Sequence, residues 1–217
     1  MNEQSERVLT AEEARAFKSY FVRGCELAQS PHTVNEAAWH FKNALYLKPD
    51  DDLTHFELGR MYYTWWRCRE ADEPLRKSTE LNPSFAAFMN YGLNCNLIDH
   101  YSEAELAFEN ALQIVPEDGE AHYQLGLVLT VTSFDDPQQM RKAVDHFRKS
   151  LSQRPDHELS ADFLGETLVL HLQAFDEARV FAHEIEERFP ETAKQIQFII
   201  RLNEPFYTQR HRPRLLS

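Results

Sequence analysis

The chain is poor in cysteine, glycine and positive charge, and each shortage removes a class of function. Only three cysteines occur in 217 residues, Cys25, Cys68 and Cys95, an odd number at no motif spacing. That is no disulfide framework and no C-x-x-C pair; it predicts reduced packing thiols in a cytoplasmic protein. The six glycines form no phosphate-cradling loop and no G-x-S-x-G elbow. His-Glu occurs at His157–Glu158 and His183–Glu184, but the second histidine of a zinc-protease helix is replaced by Ala161 and Glu187. The expectation is a protein that is not an enzyme and needs no cofactor or metal. Lys and Arg number 23 against 35 Asp and Glu, a formal charge of −12. Such a balance disfavours nucleic acid, whose affinity rests on phosphate neutralisation, and disfavours an anionic membrane surface. The apolar run Leu125 to Phe134 is too short to span a bilayer. The first residues, MNEQSERVLTAEEAR, are polar and acidic, so no secretory signal is expected.

What the chain does have is phase. Between Phe85 and Pro116, residues Phe88, Tyr91, Gly92 and Cys95 fall at i, i+3, i+4 and i+7, one face of a helix. Ser102 and Glu105 have the S-x-x-E spacing of a capping box, and Ala104, Phe108 and Ala111 mark a second helix that ends at Pro116. The reading is helix, turn, helix, with small Gly92 and Ala104 allowing close approach. The same features recur along the chain. Gly24, Gly59, Gly92, Gly126 and Gly165 are separated by 35, 33, 34 and 39 residues, and Pro49, Pro83, Pro116, Pro155 and Pro190 by 34, 33, 39 and 35. Twelve residues before those prolines stand Ala37, Ala71, Ala104, Ala143 and Ala178.

This pattern resembles the tetratricopeptide repeat, a helix–turn–helix unit of 34 residues. In the opening stretch seven of eight signature positions match in type, with Cys95 in place of the usual aromatic. The resemblance covers roughly residues 17–190. It implies an all-α superhelix of five repeats, at about 17–50, 52–84, 85–117, 119–156 and 158–190, because a single unit cannot bury its own apolar faces. A frayed start over residues 1–10 precedes the array, with a helix from Ala11 capped by Thr10 and Glu13. A capping helix follows at 191–203 and a basic tail at 204–217, carrying Arg210, His211, Arg212 and Arg214. Pro74 predicts a late start near Asp72 or a bend in its helix. Asp135, Asp136 and Pro137 lie in an insertion of five residues and predict a longer turn and an extended helix. His55 and His122 are read as packing histidines.

The resemblance also implies a concave groove lined by the first helix of each repeat and occupied by a peptide or a partner helix. Groove places fall at Phe21, Phe56, Met89, Tyr123 and Asp162, then Cys25, Arg60, Leu93, Leu127 and Glu166, then Ala28, Tyr63, Asn96, Thr130 and Val169. The strip is apolar and aromatic through four repeats, with Arg60 as a polar anchor, and turns acidic at Asp162 and Glu166. The carboxylate clamp of one family subgroup is disfavoured, since of its required residues only Asn90 is matched. The expected role is an adaptor or chaperone that binds an apolar segment of a client protein. The alternative is a self-associating scaffold whose groove is filled by its own tail or a second copy.

Overall fold

The computed structural model describes residues 8–210; the expectations for residues 1–7 and for His211, Arg212 and Arg214 lie outside them. Eleven α-helices and no strand are found among the described residues. They are α1 (Ala11–Leu27), α2 (Val34–Leu47), α3 (Asp52–Thr64), α4 (Cys68–Leu81), α5 (Phe85–Leu97), α6 (Tyr101–Ile114), α7 (Gly119–Thr132), α8 (Pro137–Gln153), α9 (Glu158–Glu166), α10 (Phe175–Ile185) and α11 (Pro190–Arg210). Side chains of Thr10, Asp51, Ser84, Asp118 and Asp136 accept N–H groups of the first turns of α1, α3, α5, α7 and α8. At α1 the bond is reciprocated by Glu13, completing the expected capping box. The helices cluster into two compact units that divide between His100 and Tyr101.

In the first unit, α1 to α5, the periodic alanines Ala37 and Ala71 are fully buried beside Phe41 and Leu75, four residues further on. Trp65 ties α3 to the end of α1, its indole N–H donating to the Ala28 carbonyl at 3.0 Å. His55 donates from Nε2 to the Pro49 carbonyl at 2.8 Å, which makes it a packing histidine with a polar task. Pro74 corrects the expectation of a late start: α4 begins at Cys68 and passes through it. Only one N–H, that toward the Glu70 carbonyl, is forgone there.

The next residue after Trp65 is unusual. Trp66 occupies the left-handed region (φ 59°), as do Asp99 (63°) and Gln173 (53°). For an L-residue this region costs about 1–2 kcal/mol, and asparagine tolerates it best after glycine. The Trp66 side chain is 80% exposed, so little packing offsets that cost. Trp66→Asn is therefore expected to raise the melting temperature by about 2–4 °C, the shift for about 1 kcal/mol at this size. A lower melting temperature would show that the indole makes a stabilising contact.

The second unit, α6 to α11, repeats the scheme with Ala104 and Phe108, Ala143 and Phe147, and Ala178. Ser102 does not cap α6; it lies one residue inside a helix that begins at Tyr101. The insertion lengthens α8 at its start, where Asp136 caps and Pro137 opens the helix, as read from the sequence. In repeat five, α9 runs into a π-helical turn, Thr167–His171, closed by Leu172 N–H donating to the Thr167 carbonyl at 3.0 Å. The terminal helix is also longer than expected. It does not stop at Asn203 but runs through Pro205 to Arg210, so residues 204–210 are helical, not tail.

Candidate functional site

The groove places of the first unit lie on α1, α3 and α5. Phe21 is half-buried, stacked on Phe17 with ring centroids 6.3 Å apart and set edge-on to Phe41 at 6.2 Å. Phe56, Tyr63, Leu93 and Asn96 are likewise half-buried. Tyr63 keeps one side on the core of this unit, as do Phe21, Cys25 and Ala28. These side chains thus show water an apolar edge whose other edge is fixed by packing. Met89 is different. It is 7% exposed, an interior residue with no edge to offer.

Arg60 is not the free anchor the sequence suggested. Its Nη2 and Nε both donate to Glu57 Oε2, at 2.7 and 3.2 Å. Glu57, three residues earlier on the same helix, is the partner that reading by repeat position missed; the i, i+3 spacing was the available signal. Burial pushes the Cys25 thiol up, and the Glu57 carboxylate pushes it further. Cys25, Glu57 and Arg60 therefore share one electrostatic neighbourhood joining α1 to α3. Asn90, the one residue matching a carboxylate clamp, spends its amide on the Ala86 carbonyl at 2.8 Å.

In the second unit the places lie on α7 and α9. Tyr123 is 7% exposed, walled in by His157 at 4.6 Å and by Phe147 and Phe163, both at 6.2 Å between centroids. Burial raises its phenol above the ordinary range, with Glu120 adding to the effect. This corrects the expectation of a contact tyrosine: the ring is a core aromatic. Leu127, Asp162 and Glu166 are half-buried. Glu166 accepts from Gln195 Nε2 of α11 at 3.4 Å, while the Asp162 side chain has no hydrogen-bond or ion-pair partner among the described residues. Glu120, also missed from the sequence, pairs with Arg154 and accepts from Gln124 at 2.7 Å.

Helices α7 and α8 are joined by a polar pair, His122 buried and His146 half-buried. His122 and His146 approach Nδ1 to Nδ1 at 2.9 Å, and His122 Nε2 lies 2.9 Å from the Pro116 carbonyl. The carbonyl can only accept, so neutral His122 carries its proton on Nε2 and accepts at Nδ1, and His146 donates from Nδ1. Burial drives the His146 pKa down to about 4, assisted by His122. Among the described residues no group of three or more His, Cys, Asp or Glu is placed to hold a metal ion, and no helix is long and apolar enough to cross a membrane.

No family model matches the chain. It is 28% identical over 149 residues to the anaphase-promoting complex subunit CDC16 of Saccharomyces cerevisiae, a match covering 65% of this chain and 17% of that protein. Among solved structures it resembles a MamA protein with TM-score 0.71 at 23% identity, over 83% of this chain and 96% of that one. YrrB, described as a TPR protein with an unusual peptide-binding site, gives TM-score 0.65 at 19% identity, over 89% and 97%. The pilF protein of Pseudomonas aeruginosa gives 0.56 at 20% identity, over 91% and 99%. Five helix pairs followed by a terminal helix among the described residues, a glycine–alanine–proline period and likeness to YrrB agree: the chain is an all-α protein of the tetratricopeptide-repeat fold.

Proposed function

We propose that the chain is a non-catalytic protein-interaction module, an adaptor or chaperone that holds an apolar peptide or helix of a partner protein on the first-helix face of residues 8–100. The observation that carries this is the row Phe21, Phe56, Tyr63 and Leu93, each half-buried on consecutive first helices. Pairing with the second helices leaves one edge of each exposed, and large apolar edges in phase favour a ligand that covers them. Aromatic edges held by packing bury much area with little loss of freedom. That YrrB is described as binding a peptide, and CDC16 as one subunit of a complex, supports a protein ligand. Met89 and Tyr123 take no part in this reading, and Arg60 contributes as a pair with Glu57.

The test is binding to an array of synthetic amphipathic helices and extended apolar peptides. Phe56→Gln with Leu93→Gln is expected to lower affinity for captured peptides at least tenfold while the melting temperature stays within a few degrees. Peptide capture that ignores both substitutions would place the site elsewhere. Loss of folding would mean that the row is structural.

A further inference from the structure

The end of a repeat array needs a polar outer face to stay soluble by itself. Helix α1 meets this requirement: Arg15, Lys18, Ser19 and Arg23 are exposed along its outer side. Helix α11 does not. Its inner side is spent on packing, with Ala193, Ile196 and Ile200 buried. Its outer side carries a second apolar stripe, Phe198, Leu202 and Phe206, which are 59, 49 and 69% exposed. At Phe206 the stripe continues into a cleft of about 190 Å³ that also includes the exposed Leu170 of the π-helical turn.

We infer that this stripe is an interface for a second copy of the same chain, two α11 helices packing antiparallel about a two-fold axis at Leu202. The spacing carries the choice of occupant. Phe, Leu and Phe stand at i, i+4 and i+8, so the stripe reads the same in both directions over about 12 Å of helix. A two-fold axis at Leu202 sets Leu202 on its own copy and each Phe198 against Phe206 of the second chain, the self-complementary arrangement an isologous contact needs. Rows spaced by four are also the ridges by which helices interlock. Charge disfavours the chain's own end as occupant. Arg210, His211, Arg212 and Arg214 are basic, and the stripe is flanked by exposed Arg201. The nearby acids are engaged, Glu191 with Lys194 and Glu204 with Arg179.

Area sets the strength. Taking 150–250 Å² for a large aromatic side chain, the stripe and Leu170 offer roughly 400 Å² per copy. Two copies bury about 800 Å², below the roughly 1,200 Å² of a standard stable interface. The dimer is therefore weak and reversible, and it stands apart from the peptide-binding reading.

Sedimentation equilibrium of the full chain from low to high micromolar concentration tests it. The expected result is a reversible rise in mass toward twice that of the chain. Leu202→Glu, which sets two carboxylates face to face at the axis, should raise the dissociation constant at least tenfold with unchanged helicity. Val180→Glu, an exposed position elsewhere in the same unit, should dimerise like the unmodified chain. A chain that stays monomeric at every concentration, or a dimer indifferent to Leu202→Glu, overturns the inference. So does growth beyond a dimer, which is a heterologous contact, or dimerisation only after residues 211–217 are removed, which assigns the stripe to the chain's own end.

Discussion

Gly59→Leu is expected to lower the melting temperature by about 10 °C or more. A Cβ built on Gly59 would lie 2.6 Å from Leu75 Cγ, 2.8 Å from its Cδ2 and 3.0 Å from its backbone nitrogen. Leu75 is fully buried, so it cannot swing into solvent, and the backbone of α4 cannot yield without moving the helix. Overpacking of this kind typically costs 1–3 kcal/mol and sometimes more, and each kilocalorie shifts the midpoint by about 2–4 °C at this chain length. A longer side chain than alanine places this site at the upper end. Gly119→Ala is the comparison. There the obstructing atoms are chiefly Cγ and Cδ of Arg154, 2.9 Å away on a flexible, partly exposed side chain that can shift. Gly119 is the first residue of α7, where alanine keeps only part of its helix-interior advantage over glycine, so with Arg154 free to shift this change should be close to neutral. Circular-dichroism melts check both. A Gly59→Leu melt that overlays the unmodified chain would mean that α3 and α4 pack less closely than described.

The same contrast explains what was legible in the sequence. Gly59 and the alanines Ala37, Ala71, Ala104, Ala143 and Ala178 announce themselves because close helix approach admits only small residues at fixed intervals. Asp136 and Pro137 were readable because an N-cap and the first helical position each have a local chemical demand. Depth was not readable. Helical spacing gives the direction in which Met89 and Tyr123 point, but Tyr123 is buried by Phe147, His157 and Phe163, drawn from segments distant in sequence. Pro74 misled for a related reason. It removes one hydrogen bond, and tertiary packing holds α4 together across that loss, as α11 also continues through Pro205. The outer stripe of α11 was missed because a capping helix needs only one apolar side, which Ala193, Ile196 and Ile200 supply. Phe198 and Leu202 on its opposite side needed coordinates to be seen as exposed.

The His122–His146 pair should make the protein lose stability as the pH falls from about 6.5 to about 4. His146 releases its proton at about 4 in the folded chain, against 6.5 ordinarily. Within that window the unfolded chain binds a proton that the folded chain refuses, so the unfolding free energy rises with pH across it and is no longer affected by this residue below about 4. At 1.36 kcal/mol per unit, allowing for partial exposure, the change is about 2–3 kcal/mol. His122 and His157 are also shifted down, chiefly by burial, and act in the same direction. The physical cause is geometric. Once both rings are protonated, the two Nδ1 atoms 2.9 Å apart are both donors and both positive, with no acceptor between them. His146→Phe leaves the His122 Nδ1 acceptor buried and unpaired, which should cost about 1–3 kcal/mol at neutral pH. It should also flatten the dependence between pH 6.5 and 5, above the range where most carboxylates titrate. Denaturant unfolding at several pH values measures both effects together. Parallel curves for His146→Phe and the unmodified chain would show that the pair is exposed to solvent and carries no linkage. Converging curves at low pH would assign the linkage to the bond between His122 and His146.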